Sequence, residues 1–192
     1  MRSTADLVKA QKNKADSFYT TEDMVEKELS HYTDSLSGKT ILCNCNDGDW
    51  SAFVAWFLAN WRRLQLEKLI SVSHTMDGGL LGEHGKPYTW AVPDQPPKIK
   101  ELEEDGDFRS VECENLLQEA DVVCSNPPFS LFRDYVDQLV KHSSKFIIVG
   151  TLNAVTYRNV FPLIQKNLIH LADSSGGCNT WCFWCCCLGF LG

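Results

Sequence analysis

The stretch that decides the fold is Asp121-Val122-Val123-Cys124-Ser125-Asn126-Pro127-Pro128-Phe129. Its apolar, β-branched beginning predicts a buried strand, and the two prolines end that strand because proline has no backbone N–H for a sheet ladder. Ligands of α/β sheets bind outside the carboxyl ends of the strands. We therefore expect the turn after Asn126 to face a binding pocket.

This turn carries groups that suit the methylation of an exocyclic amine whose lone pair is delocalised into a ring. The Asn126 side-chain oxygen and the Pro127 carbonyl can each accept one N–H of the amine, which frees the lone pair for a methyl group. Phe129 can stack on the base, which must be flipped out because the amine is inaccessible inside a duplex. A rigid strand-to-loop turn without chemistry is the alternative, since Asn and Pro are ordinary turn formers.

The chain around this turn alternates strand-like and helix-like patterns. Apolar runs predict strands at residues 40–45, 68–73, 121–125 and 145–150. Residues 50–64 and 131–140 between them have apolar side chains at helical spacing. This alternation predicts an α/β fold with a mainly parallel sheet and helices on both faces.

Two other regions carry weaker patterns. Residues 77–98 are rich in Gly and Pro, which predicts a long loop with a short hairpin through 88–90. Residues 157–167 have a helical pattern that places Phe161 inward, although Pro162 is expected to interrupt the helix.

Composition limits the kind of protein. A chain of 192 residues with 44% hydrophobic content can form one α/β domain, but it is too short to add a separate target-recognition domain. No apolar run has membrane-spanning length and the first residues lack a signal-peptide core, so we expect a cytoplasmic location. A net charge of −7 argues against a free-standing nucleic-acid binder, which normally carries a basic stripe.

The C-terminal segment differs from the rest of the chain. Residues 174–192 have no charged side chain and no helical or strand period, and five of the nine cysteines lie between 178 and 187. We interpret 1–15 as a flexible leader, 16–172 as the core and 173–192 as an atypical Cys/Trp-rich tail of the kind a frameshift produces. The sheet would then be incomplete at the C-terminus, with an unpaired edge that favours aggregation.

Cys43 and Cys45 are two positions apart in a predicted strand and are therefore expected on the same face. No second pair at metal-ligand spacing accompanies them. We interpret them as buried strand cysteines and expect no metal.

The resemblance to a known family extends well beyond the turn. Ser125-Asn126-Pro127-Pro128-Phe129-Ser130-Leu131-Phe132-Arg133, with Phe18-Tyr19-Thr20 and Cys43-Asn44-Cys45, resembles the EcoRI-type adenine-specific DNA methyltransferases. The likeness runs from about Lys12 to about Leu171. It implies a Rossmann-like core that transfers a methyl group from S-adenosylmethionine to the N6 amine of adenine in DNA, of restriction-modification or phage type.

The resemblance also implies roles for particular residues. The catalytic residues would be Asn126, Pro127, Pro128 and Phe129. The cofactor-binding residues would be Phe18, Tyr19, Thr20, Asn44, Asp47, Asp107 and Phe108. The loop after the first strand departs from the usual glycine-rich pattern, because only Gly48 remains there. His74 and Thr75 stand where a ribose-binding carboxylate is usual, so the ribose contact stays unassigned.

Two alternatives remain beside this hypothesis. Enzymes that methylate RNA or the glutamine side chains of proteins share the Asn-Pro-Pro-Phe turn. A truncated remnant that binds the cofactor, or nothing, would share it as well. Truncation leads us to expect that this chain is weakly active or inactive on DNA.

Overall fold

The computed structural model describes residues 20–46, 51–73, 84–171 and 181–186. The predicted leader, 1–15, and three predicted site residues, Phe18, Tyr19 and Asp47, lie outside the described residues. No helix in the described ranges is long and apolar enough to cross a membrane.

The strands and helices are named here in chain order. The strands are β1 (Thr40–Asn46), β2 (Lys68–Ser73), β3 (Lys86–Trp90), β4 (Lys98–Ile99), β5 (Val122–Ser125), β6 (Lys145–Thr151), β7 (Ile169–Leu171) and β8 (Trp181–Cys186). The helices are α1 (Glu22–Leu29), α2 (Thr33–Leu36), α3 (Ala52–Leu64), α4 (Val111–Glu119), α5 (Phe132–Lys141) and α6 (Phe161–Gln165). Short 3-10 helices occupy Ser30–Tyr32, Phe129–Leu131 and Leu152–Thr156.

The strands form one mixed sheet with a parallel centre, in the order β4-β3-β2-β1-β5-β6-β8-β7. The neighbours β2, β1, β5 and β6 are parallel, and they coincide with the predicted strands. The outer pairs are antiparallel. The predicted α/β fold with a mainly parallel core is confirmed.

Apolar side chains cover both faces of this sheet. On β5, Val122 and Cys124 pack on the face with α1 and α3, whereas Val123 packs on the face with α4 and α5. The same alternation on β6 separates Ile147 from Phe146. Because parallel strands buried on both faces need apolar residues at every position, these runs are continuously hydrophobic in the sequence.

Residues 88–90, which were predicted to form a short hairpin, lie in one continuous strand, β3. It pairs antiparallel with β2, with Leu69 opposite Trp90 and Ser71 opposite Tyr88. Burial of Trp90 in the core explains why this piece of a Gly/Pro-rich region is ordered against the sheet.

The expectation that the tail forms no strand and leaves the sheet edge unpaired is wrong for residues 181–186. Residues 181–186 form β8, which pairs antiparallel with β6 and β7. A short uncharged run rich in aromatic residues has high strand propensity, and strands inside a sheet show no apolar-polar alternation. The lack of apolar-polar alternation in residues 181–186 is therefore compatible with a strand.

The helix predicted at 157–167 is shorter than expected. Helix α6 begins at Phe161, so Pro162 lies in its first turn, where the missing N–H of proline costs no helical hydrogen bond. Phe161 is 49% exposed, which corrects its predicted inward position. Leu163 and Ile164 pack against the core.

Candidate active site

The candidate site lies at the edge of the sheet where the parallel strands end. Asn126 follows β5 directly, and Thr151 is the last residue of the parallel neighbour β6. The 3-10 helix Phe129–Leu131 and then α5 follow Asn126. Asn126 is therefore at the carboxyl end of its strand, as predicted.

The two proline carbonyls of the turn differ in their hydrogen bonding. The Pro128 carbonyl accepts the Leu131 amide at 3.0 Å and so belongs to the turn itself. None of the described backbone amides donates to the Pro127 carbonyl. Pro127 is buried, and so is the side-chain oxygen of Asn126. An acceptor pair for an amine is thus best assigned to Asn126 and Pro127.

Phe129 is half-buried and packs against the core face that carries α1 and α3. A ring fixed in this way loses little conformational entropy when a flat ligand stacks on it. Its predicted role as a stacking partner for a base stays a prediction.

Asn44 lies inside the protein, not on an open loop surface. It is 2% exposed, and its side-chain oxygen accepts a hydrogen bond from the Tyr135 hydroxyl on α5. Its backbone carbonyl accepts from the hydroxyl of Ser125, the residue before Asn126. Burial raises the pKa of Tyr135 well above its ordinary value, so the phenol keeps the proton that it donates. Asn44 therefore joins the end of β1 to the turn at Asn126 and to α5.

A β-bulge at the end of β1 brings Asn44 into this position. Cys43 pairs with Ser71 and Asn46 with Ser73, so β1 has one residue more than β2 over this interval, and Cys45 has a φ of 60°. Bulges of this kind change the direction of side chains next to functional sites.

The bulge also corrects the prediction that Cys43 and Cys45 share a face. Cys43 packs with α1 and α3, and Cys45 packs on the opposite side of the sheet, because the extra residue interrupts the alternation. Both are free thiols, and burial raises the pKa of Cys43. No group of three or more His, Cys, Asp or Glu side chains within the described ranges could hold a metal.

The Asp107-Phe108 segment lies against the same helix. Both carboxylate oxygens of Asp107 accept from the Arg109 guanidinium, at 2.9 and 2.6 Å, and these hydrogen bonds raise the pKa of Arg109. The Phe108 ring is 4% exposed and packs edge-on against Tyr135, with centroids 5.0 Å apart. Phe108 is therefore a core residue that anchors the segment. The predicted contacts of Asp107 and Phe108 with a cofactor stay predictions.

Sequence reasoning missed two features that hold this segment. Gln138 is a buried polar residue on α5 whose amide nitrogen donates to the Phe108 carbonyl at 2.8 Å. A Cβ at Gly85 would lie 2.5 Å from Gly106, so only glycine allows the two backbones to approach this closely. The sequence does show that Gln138 lies on the face of the helix where apolar side chains recur, and this pattern could have indicated a buried polar residue.

Thr20 is the one residue of the predicted Phe18-Tyr19-Thr20 element that the structure describes. It precedes Thr21, the N-cap residue of α1, and its hydroxyl is buried without a hydrogen-bond partner among the described residues. A buried hydroxyl normally has a partner, so this atom is a candidate ligand contact.

Comparison with known proteins identifies the family. The family model for the adenine-specific methyltransferase EcoRI matches residues 6–181. The chain is 40% identical to the type II methyltransferase M.EcoRI of Escherichia coli over 181 residues, which cover 88% of this chain and 56% of that protein. It is 38% identical to M.MgeORF184P of Mycoplasma genitalium, with 83% and 48% covered, and 34% identical to M.MpnI of Mycoplasma pneumoniae, with 87% and 51% covered.

The chain spans about half the length of these curated relatives. No solved structure gave a significant match. The family match covers the central parallel strands, the turn after β5 and the segments that α5 holds in place. The chain belongs to the EcoRI adenine-specific methyltransferase family.

Proposed function

We propose that residues 16–172 are the catalytic core of an enzyme that methylates the N6 amine of adenine in DNA, with S-adenosylmethionine as the methyl donor. The observation that carries this proposal is the position of the buried Asn126 side-chain oxygen, next to the buried Pro127, at the carboxyl end of β5. It is supported by membership of an adenine-specific methyltransferase family.

The proposed chemistry depends on charge distribution at the target amine. The Asn126 side-chain oxygen and the Pro127 carbonyl accept the two N–H groups and favour the pyramidal amine, whose lone pair can then attack. S-adenosylmethionine supplies an electrophilic methyl group bonded to a sulfonium. With the donor bound, the N–C bond would form as the C–S bond breaks, and the amine would then lose one proton. Phe129 stacks on the extruded adenine.

Among the described residues, Thr20 is the best candidate for a direct contact with this cofactor. Thr20 offers a buried hydroxyl without a described partner, immediately before the N-terminus of α1. Asn44, by contrast, uses its side-chain oxygen for Tyr135. We propose that Thr20 contacts the donor directly and that Asn44 acts by holding the end of β1.

Methylation of RNA or of protein glutamine would use the same acceptor pair, and an inactive chain would retain the same fold. Incubating the 192-residue chain with methyl-labelled S-adenosylmethionine and with DNA, RNA or protein in parallel separates these alternatives. We expect label in N6-methyladenine of DNA. Label in RNA or protein, or no label in DNA above that of Asn126→Ala, would refute the proposal.

Tyr135→Phe tests whether the hydrogen bond from Tyr135 to Asn44 stabilises this site. Removing the hydroxyl leaves the buried Asn44 oxygen without its donor, at an expected cost of about 1–3 kcal/mol in the free energy of unfolding. Because Asn44 holds the end of β1, the Kd for S-adenosylmethionine should rise several-fold. Calorimetry and thermal unfolding measure the two effects.

The matched control is Tyr88→Phe, which removes a hydroxyl from the half-buried Tyr88 of β3, on the other side of β2. It should change neither quantity appreciably. Equal cofactor affinity in Tyr135→Phe and the unmodified chain would show that the Tyr135 hydroxyl has no role at the site.

A further inference from the structure

Three exposed arginines in the described part of this acidic chain lie over aromatic rings. One of them, Arg109, is paired with Asp107, and the other two lie at opposite ends of the sheet. The Arg133 Cζ is 4.2 Å from the centroid of the Tyr157 ring, and the Arg63 Cζ is 5.9 Å from that of Trp56. Arg133 is in the first turn of α5, which follows β5 at its carboxyl end. Arg63 is in the last turn of α3, which leads to the amino end of β2. Of these two, Arg133 is therefore the one on the same edge as Asn126.

The arginine and the ring beneath it are held in place. The Tyr157 ring packs against Phe132, with centroids 6.5 Å apart, and Phe132 is fully buried. The Asn159 amide nitrogen donates to the Arg133 carbonyl at 3.1 Å and to the Asp137 carboxylate at 2.8 Å. The loop after β6 is thereby fixed to the first turns of α5.

The guanidinium of Arg133 keeps its hydrogen-bond donors available. In the described part of the chain no carboxylate forms an ion pair with Arg133, whereas Arg62 and Arg109 are both paired. An aromatic ring contacts the flat face of a guanidinium and leaves the N–H groups at its edge free. Arg158 follows Tyr157 directly, is exposed, and also has no carboxylate partner among the described residues.

We propose that Arg133, stacked on Tyr157 and assisted by Arg158, binds a phosphodiester of the substrate DNA strand beside the extruded adenine. This inference rests on the proposed function. The planar fork of an arginine binds two phosphate oxygens at once, which fixes both the position and the orientation of the backbone. A phosphate held on this edge would keep the flipped nucleotide aligned with Asn126. Such a local contact suits a chain with a net charge of −7.

The test compares Arg133→Gln with Arg63→Gln, which removes an exposed, ring-stacked arginine from the opposite edge. DNA binding is measured by anisotropy of a labelled adenine-containing oligonucleotide, from about 50 to about 200 mM salt. We expect Arg133→Gln to weaken binding roughly tenfold and to reduce the slope of log K against log salt by about 0.9, as loss of one phosphate contact requires. Arg63→Gln should change neither.

Further variants distinguish a phosphate contact from loss of structure. Arg133→Lys should restore most of the salt slope because it keeps the charge, and Tyr157→Phe should bind as the unmodified chain does because it keeps the ring. Arg133→Gln should raise the KM for DNA with cofactor Kd and Tm unchanged. An unchanged salt slope in Arg133→Gln, in a chain that methylates DNA, would overturn this inference alone. A chain that neither binds nor methylates DNA would overturn the proposed function with it.

Discussion

Asn126→Ala is expected to abolish methyl transfer in an ordinary assay while the affinity for the methyl donor changes little. In the proposed mechanism the lost oxygen stabilises charge that develops on the amine during transfer, and removal of one such group costs roughly 100- to 1,000-fold in kcat. The donor itself needs no contact with this oxygen in the proposed arrangement. Initial rates with labelled S-adenosylmethionine and DNA, together with calorimetric titration of the donor, measure both quantities.

Asn153→Ala is the matched control for this substitution. Asn153 is an exposed asparagine in the 3-10 helix after β6, at the same edge of the sheet, and its backbone carbonyl accepts from Thr156 whether or not the side chain is present. Asn153→Ala should retain normal rates. If Asn126→Ala lost donor affinity as strongly as rate, its role would be in binding the cofactor, contrary to the assignment.

Asn126→Asp tests the same role with a conservative change. A carboxylate keeps an acceptor oxygen at the same place, so partial activity is expected. Activity as low as that of the alanine variant would mean that the amide nitrogen matters as much as the oxygen.

The sequence predicted the parallel centre of the sheet because its signals are local. The apolar run of β5 stops at two prolines, and this is sufficient to place Asn126 at the end of a strand. The runs of β1, β2 and β6 have the length and β-branched content of buried strands. Alternation with helical patterns then leaves few possible topologies.

The parts that the sequence did not predict depend on contacts between distant segments. The bulge at Cys45 is produced by pairing with β2 and by the buried bond from Tyr135 to Asn44, which join positions far apart in the chain. The strand β8 has no alternation to mark it, because its place between β6 and β7 is a property of the whole sheet.

In the candidate site too, the sequence predicted what local signals determine and did not predict what contacts between distant segments determine. Asn126 and Pro127 could be assigned because their chemistry lies in one short motif. The sequence assigned Asn44 and Phe108 to the cofactor by resemblance, and the structure places both in buried contacts with α5. A motif identifies residues near a function, but only packing distinguishes a residue that contacts a ligand from one that supports it.

Gly150→Ala is expected to destabilise the protein, although alanine is the better strand residue. By propensity alone the change would stabilise β6 by about 0.5–1 kcal/mol. A Cβ at this position, however, would lie 2.6 Å from Phe132 Cζ and closer still to Cε2. Phe132 is fully buried and has little space to move into. Overpacking of a core costs about 1–3 kcal/mol, so the clash outweighs the propensity.

The loss should extend from stability to the candidate site, because Phe132 supports the Tyr157 ring and begins the helix that follows the turn at Asn126. For a domain of this size the expected cost corresponds to a decrease in Tm of roughly 2–10 °C. Thermal unfolding measures it, and Phe132→Leu in the same chain is the control. A smaller side chain gives space to the new methyl group, so the double variant should be less destabilised than the sum of the single changes. A Tm for Gly150→Ala equal to or above that of the unmodified chain would show that the Phe132 ring can adjust, and that the packing between β6 and α5 tolerates a methyl group.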